Sequence, residues 1–201
     1  MKIHDCLLDI KNRVVVEYST LGGIIVGSNK DHLWEERVNE QIDTVVIHCM
    51  SAVAIKLERP YDLNLLLKIL CDYGVSSHYL ISRKGKILRL VPEDKKAWHC
   101  GGSIMPEPDN RTGVNEFSIG IELAATNRSG FTDSQYDALC NLCIDIEKRH
   151  GKKMRYVGHD QIAGKRAVDL GLRKDRKVDP GPLFNWEFFM EKMARLAGNG
   201  H

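Results

Sequence analysis

The pattern of hydrophobic and polar positions predicts a series of strands and helices between residues 44 and 198. Runs rich in β-branched and apolar residues, which are typical of strands, occupy residues 44–49, 78–83, 86–91, 117–123 and 155–157. Helical spacing of apolar residues occupies residues 62–73, 132–150 and 185–198. Because strands and helices intermix and Lys84-Gly85 suits a hairpin, we expect an α/β fold with a mixed central β-sheet flanked by helices.

The strand predicted over residues 117–123 has two chemically different faces. Ile119, Ile121 and Leu123 fall on one face, and Glu122 falls on the other. If the aliphatic face packs under helices, Glu122 faces a cleft. A carboxylate on a strand is otherwise most often a solvated surface group, so the pattern alone leaves its role open.

The first 40 residues give a weaker signal. Val14–Glu17 and Gly23–Val26 are candidate short strands, with Gly22-Gly23 at a turn. We therefore divide the chain into an N-terminal extension, residues 1–40, that packs on one domain formed by residues 41–201.

Composition and charge narrow the classes of function. The chain has 201 residues, 43% of them hydrophobic, and a formal net charge of +2. So small a net charge gives no electrostatic case for a nucleic-acid partner, and no apolar run is long enough to span a membrane. The first residues lack the features of a secretory signal peptide, so we expect a cytoplasmic protein. We also expect a monomer.

Six cysteines in a chain without a signal peptide are expected to be reduced thiols. Cys140 and Cys143 lie on the apolar stripe of a predicted helix, which favours core packing over a metal or redox role. Cys49 follows His48 and Cys100 follows His99, but neighbours on a strand point apart, which argues against a Cys–His nucleophile.

Three residues are candidate metal ligands. His48 ends a predicted strand, His159 follows another, and Asp179 lies in Lys177-Val178-Asp179-Pro180-Gly181. Two imidazoles and one carboxylate form a three-ligand zinc site with a position open for water. Taken singly, a strand histidine is more often a core or surface residue, and Asp before Pro-Gly is usually a turn residue. Spacing therefore leaves the metal site and these structural roles both open.

Five segments together resemble the amidase-2 family of zinc N-acetylmuramoyl-L-alanine amidases, which includes AmpD-like enzymes, phage lysozyme-type amidases and peptidoglycan recognition proteins. In chain order the segments are VVIHCMSA, VSSHYLISRKGKILRLVPEDKKAWHCGGS, FSIGIELAAT, YVGHDQIA and KVDPGPLFNW. The resemblance implies a catalytic domain with the family's fold. It also implies hydrolysis of the amide bond between N-acetylmuramic acid and L-alanine in peptidoglycan or muropeptides, which would be the partners of this chain.

The resemblance also implies roles for matching residues. His48, His159 and Asp179 match the ligands of one Zn²⁺ per chain, Glu122 matches the general base, and Lys177 matches the residue that stabilises the transition state. Substrate contacts are expected from Trp98 and His99, which match a wall of the cleft, and from His78 as a further candidate. Because residues alternate on a strand, one of Trp98 and His99 is expected to point away from the cleft.

The segment between His159 and Asp179 is longer than the family's compact connection, so residues 164–171 form an apparent insertion. This segment also offers Asp160, Asp169 and Asp175 as rival carboxylates.

Two functional questions stay open at this point. A protein that binds muropeptides without cutting them is the alternative to an amidase, although such proteins typically lack a zinc ligand. An amidase could be a cytoplasmic recycling enzyme or a phage endolysin that attacks the intact cell wall.

Overall fold

The computed structural model describes residues 1–6, 33–38 and 41–198. The strands are β1 (Ile3–Asp5), β2 (Trp34–Glu36), β3 (Thr44–Met50), β4 (Tyr79–Ile81), β5 (Ile87–Arg89), β6 (Lys95–Ala97), β7 (Ser118–Ala124) and β8 (Arg155–Gly158). The helices are α1 (Leu63–Asp72), α2 (Asp133–His150), α3 (His159–Ile162), α4 (Lys165–Asp169) and α5 (Trp186–Gly198), and a 3-10 helix covers Val114–Phe117. Among the described residues, no helix is long and apolar enough to cross a membrane.

Six strands form the main sheet, in the order β1-β5-β4-β7-β3-β8. β4 and β5 pair antiparallel, which confirms the predicted hairpin. β4, β7, β3 and β8 run parallel to one another, and β1 joins β5 in parallel at the edge. The predicted mixed sheet flanked by helices is confirmed.

One face of the sheet forms the larger part of the hydrophobic core. Val45, Ile47, Ile119 and Ile121 are fully buried there and pack with side chains of α2 and α5, such as Leu139. Burying an aliphatic side chain of this size contributes about 1.5–3 kcal/mol, so this face ties the central strands to both helices. The aliphatic face predicted for β7 is therefore confirmed.

The opposite face of the sheet packs against α1. Leu66, Leu67 and Leu70 of α1 are buried with Leu80 and Leu88 of the hairpin strands. α1 covers this face around the hairpin, and a cavity lies beside it at the carboxyl ends of β3 and β7. Polar side chains of these two strands line the cavity.

Capping residues define where α1 and α2 begin. The Asp62 carboxylate accepts from the first backbone N–H groups of α1, and Gly74, with φ +62, follows the helix. At the start of α2, Thr132 and Gln135 form a capping box.

Parts of the N-terminal extension pair with strands of the main domain. β1 lies at the edge of the main sheet, and β2 pairs antiparallel with β6 in a separate two-stranded sheet. The candidate strands Val14–Glu17 and Gly23–Val26 lie outside the described residues. The division at residue 40 stays a prediction.

Several short elements were not predicted from the sequence. β1, β2 and β6 have three residues each, and α3 and α4 have four and five. Elements this short do not complete enough of a period to be recognised from spacing. α4 lies within the apparent insertion, which is thus partly helical.

Candidate active site

Three candidate metal ligands converge at one end of the sheet. Nδ1 of His48 lies 3.0 Å from Nδ1 of His159, and Oδ2 of Asp179 lies 3.2 Å and 3.1 Å from these two nitrogens. The two histidines are buried, and the Asp179 side chain is 20% exposed. His48 and His159 are 111 residues apart in sequence, and His159 and Asp179 are 20 residues apart. The fold therefore brings the three side chains together.

The parallel strands explain how the ligands meet. β3 and β8 pair so that Ile47 lies opposite Gly158, and His48 and His159 each come next in the chain at the same edge. The backbone N–H of Asp160 donates to the Asp179 carbonyl at 2.8 Å, which ties the Asp179 segment to the start of α3. Carboxyl ends of parallel strands meet at one edge of a sheet, which is the usual place for a site in such folds.

The protonation states suit metal binding. Burial and, to a smaller extent, the neighbouring His159 lower the pKa of His48 to about 4, so the imidazole is neutral at pH 7. Burial on its own would raise the pKa of Asp179, but hydrogen bonds with His159 and His48 outweigh burial and lower it. Metal ions bind neutral imidazoles and ionised carboxylates, which are the forms that these pKa shifts favour for His48 and Asp179.

The spacing of the ligand atoms fits a zinc ion. In a tetrahedral zinc site with bonds of about 2.0–2.1 Å, ligand atoms lie about 3.3 Å apart. The three atoms here lie 3.0–3.2 Å apart, which is close to one face of such a tetrahedron. The donor set and the geometry therefore fit a cation that keeps a fourth position open.

Glu122 lies beside the metal ligands. It is paired with His48 in the register of β3 and β7, and it lines the same cavity. Its Oε2 atom is buried and has no hydrogen-bond partner among the described residues. Burial raises the pKa of Glu122, Asp179 raises it further, and Lys177 opposes both. A carboxyl group with a raised pKa can accept a proton and return it near neutral pH.

The cavity has a volume of about 530 Å³, which is within the range of small-molecule sites. Lys177 is exposed and lines it, and its backbone N–H donates to the Ala163 carbonyl at 2.9 Å. Arg173 also lines the cavity, and its Nη1 donates to the carbonyls of Cys100 and Gly102 at 3.2 Å and 3.3 Å. Two cationic groups thus lie on the side of the cavity formed by the segment before Asp179.

The structure brings Trp98 and His99 to the cavity but not His78. Trp98 and His99 both line it, so the expectation that one of them points away is wrong. β6 ends at Ala97, and strand alternation therefore does not apply to the pair. His78 is fully buried, where its Nδ1 accepts from the backbone N–H of Gly120 at 2.9 Å.

The carboxylates and the thiol that could compete for the ligand and nucleophile roles are less suited to them. Asp169 pairs with Lys165 at the surface, and Asp175 is exposed. Asp160 has a buried Oδ1 without a hydrogen-bond partner among the described residues, but it does not line the cavity. Sγ of Cys100 lies 3.1 Å from Nδ1 of His99, and burial raises the pKa of this thiol, which disfavours a thiolate nucleophile.

Several cavity residues were missed by the sequence reasoning. They are Arg173, Asn115 and Cys49. Arg173 lies in an irregular segment with no periodic pattern. Asn115 lies in the short 3-10 helix, and its Oδ1 accepts from the backbone N–H groups of His99 and Cys100 at 3.2 Å and 2.8 Å. The position of Cys49 after His48 was noted, but only the structure shows that it reaches the cavity.

The chain is similar in sequence to known amidases. Over 118 residues it is 42% identical to the 1,6-anhydro-N-acetylmuramyl-L-alanine amidase AmpD of Escherichia coli, a match that covers 57% of this chain and 56% of that protein. The chain thus spans little more than half the length of this relative.

Two solved structures are similar in fold. A crystal structure of a selenomethionine derivative of AmpD superposes with a TM-score of 0.62 at 31% identity, covering 79% of this chain and 89% of that one. The amidase AmiD from E. coli, solved with the substrate anhydro-N-acetylmuramic acid-L-Ala-D-gamma-Glu-L-Lys, superposes with a TM-score of 0.56 at 31% identity, covering 84% and 65%.

The family Amidase_2, described as N-acetylmuramoyl-L-alanine amidase, matches residues 38–182. This range contains His48, His159, Asp179, Glu122 and Lys177. The chain belongs to the Amidase_2 family.

Proposed function

We propose that this protein is a zinc-dependent amidase that hydrolyses the bond between N-acetylmuramic acid and L-alanine in muropeptides or peptidoglycan. The observation that carries the proposal is the convergence of two histidine nitrogens and one carboxylate oxygen, 3.0–3.2 Å apart, beside the buried carboxylate of Glu122. His48, His159 and Asp179 would hold one Zn²⁺. At such a site zinc polarises a carbonyl and lowers the pKa of a bound water to about 7.

Glu122 is the proposed general base. Its carboxylate takes a proton from the attacking water and passes it to the leaving amine of L-alanine as the amide bond breaks. The raised pKa of Glu122 supports this exchange, because a strongly acidic carboxyl group would return the proton poorly. The free Oε2, which has no other partner among the described residues, is available for the transfer.

Lys177 is the proposed electrostatic partner. The carbonyl oxygen of the scissile amide gains negative charge as water adds, and an ammonium group nearby stabilises that charge. The side chain of Lys177 lines the cavity that also contains Glu122 and Asp179. The anchored backbone of Lys177 supports this placement, although the neighbouring segment is an insertion.

Trp98 is proposed to contact the substrate. It lines the cavity, and its indole Nε1 donates to Glu35 at 2.8 Å, which fixes the ring. A fixed aromatic face suits the apolar face of a sugar ring. Arg173 and Lys177 add positive charge that suits the carboxylates of a stem peptide.

Loss and recovery of activity with zinc would test the proposal. Purified protein is treated with a chelator, dialysed, and assayed on a soluble anhydro-muropeptide before and after one equivalent of Zn²⁺ is added. We expect release of the stem peptide to stop without zinc and to return with it. Turnover that survives complete zinc removal would contradict the proposal, and binding without turnover by the zinc-loaded protein would favour a recognition protein.

The same assay can distinguish two settings for the enzyme. Rates on soluble anhydro-muropeptide are compared with rates on intact sacculi at equal protein concentration. A strong preference for the soluble substrate indicates a recycling enzyme, and a preference for sacculi indicates an endolysin.

A further inference from the structure

His99 lies directly behind a metal ligand. Its Nδ1 is 3.0 Å from Nε2 of His48, and the two rings meet edge to face at 81°. His48 directs its other nitrogen, Nδ1, towards His159 and Asp179. If Nδ1 of His48 binds the cation, Nε2 carries the ring proton, and the acceptor within reach of that proton is His99 Nδ1.

The hydrogen bonds continue on the far side of His99. Its Nε2 lies 3.3 Å from Oγ of Ser118, and the Ser118 hydroxyl donates to the Val114 carbonyl at 2.6 Å. His48 then donates to His99, His99 donates to Ser118, and Ser118 donates to a backbone carbonyl. Each proton has an acceptor, so this series of hydrogen bonds fixes one tautomer for each of the two imidazoles.

The surrounding backbone shapes the place that His99 occupies. A Cβ atom at Gly120 would lie 2.6 Å from Cγ and Nδ1 of His99, so the ring rests where a side chain of β7 would otherwise be. The backbone N–H of His99 is held by Oδ1 of Asn115 at 3.2 Å. His99 is only 9% exposed, although it reaches the cavity wall.

We propose that His99 is a positioning residue that orients the zinc ligand His48 and keeps its Nδ1 unprotonated for the metal. This role differs from the substrate contact expected from the sequence, because both ring nitrogens of His99 are used within the protein. The inference rests on the metal site of the proposed function. Partners of this kind typically change metal affinity by about 10- to 100-fold.

The test measures zinc affinity by competition with a chromophoric chelator, alongside kcat and KM. We expect His99→Leu to weaken zinc binding by about 10- to 100-fold. His99→Gln keeps an acceptor and should recover part of that loss. Gly120→Ala leaves the histidine in place but displaces its ring, so it should weaken zinc binding as well. The visible spectrum of the Co²⁺-substituted protein should change in His99→Leu and Gly120→Ala, because the direction of the His48 ring changes.

Two controls separate this role from others. Trp98→Leu alters the cavity wall beside His99 and should raise KM while the zinc Kd stays unchanged. Cys100→Ala removes the thiol that also lies 3.1 Å from His99 Nδ1, and the zinc Kd should again stay unchanged. Circular dichroism and melting curves identify any variant that has not folded.

Three outcomes would overturn the inference. A wild-type zinc Kd in both His99→Leu and Gly120→Ala, with only KM raised, would make His99 a substrate-binding residue. Two zinc ions per wild-type chain, one of them lost in Cys100→Ala, would indicate a second metal held by His48, His99 and Cys100, whose ligand atoms also lie close together. Failure of the wild-type protein to bind zinc would instead contradict the proposed function itself.

Discussion

His48 and Glu122 lie opposite each other on the adjacent parallel strands β3 and β7. The pairing places a proposed metal ligand and a carboxylate side by side on one face of the sheet, and both line the cavity. Because the backbones of the two strands are joined by regular hydrogen bonds, the separation of these side chains is set by the sheet and not by a mobile loop.

This pairing predicts the effect of Glu122→Gln. Glutamine keeps the size of the side chain but cannot take up a proton, so kcat should fall by about 10²- to 10⁴-fold. The zinc Kd should remain unchanged, because Glu122 is not among the three converging ligands. Steady-state kinetics and chelator competition measure the two quantities.

Asp160→Asn is the matched control for Glu122→Gln. Asp160 also has a buried carboxylate oxygen without a hydrogen-bond partner among the described residues, but it lies outside the cavity lining. We expect its kcat to stay within a few-fold of wild type. If Asp160→Asn were the slower enzyme of the two, Glu122 would not be the base.

If Asp179 and not a neighbouring carboxylate holds the metal, only its removal should weaken zinc binding. Asp179→Ala removes a ligand, so the zinc Kd should rise by more than about 100-fold, which exceeds the usual effect of an outer partner. Asp175→Ala, at an exposed position four residues earlier, should bind zinc like wild type. Metal content after dialysis and chelator competition provide the readouts. Equal loss of zinc in both variants would show that zinc binding depends on the conformation of residues 175–179 and not on the Asp179 carboxylate itself.

The sequence was sufficient to predict the long elements, and the resemblance to a family singled out His48 and His159, which the structure brings together. The β-branched run of β3 immediately precedes His48, and Thr132 with Gln135 defines the start of α2, so local patterns determine where these elements lie. The face of Glu122 followed from the alternation of β7. Such features depend on neighbours in the chain, which is why they can be read from it.

The contacts of His99 could not be predicted from the sequence. They depend on the missing side chain of Gly120, on the side-chain amide of Asn115 and on the early end of β6 at Ala97. The position of Arg173 likewise depends on its hydrogen bonds to the distant carbonyls of Cys100 and Gly102. These are tertiary contacts between distant segments, and no periodicity encodes them.

Lys177→Met should slow the chemical step. Methionine retains the length of the side chain but not its charge, and loss of one group that stabilises an oxyanion typically lowers kcat by about 10²- to 10³-fold. KM should change much less, because the charge develops only during the reaction. Lys174→Met removes a nearby exposed charge and should leave kcat unchanged. If kcat/KM fell only because KM rose, or if it fell equally in both variants, Lys177 would act by general electrostatic attraction of the substrate and not by stabilising the transition state.

The buried His78 predicts how stability depends on pH. Burial, together with the nearby Arg37, lowers the pKa of His78 from 6.5 to about 3. Between these values the unfolded chain binds a proton that the folded chain does not, so His78 makes folding less favourable by about 1.4 kcal/mol per pH unit as the pH falls. His78→Asn keeps an acceptor for the Gly120 N–H and removes this titration. The variant should therefore be less stable than wild type at pH 7 but lose stability less steeply between pH 6 and pH 4. Denaturant unfolding at several pH values measures both slopes, and parallel slopes for the two proteins would show that His78 is protonated in the folded state.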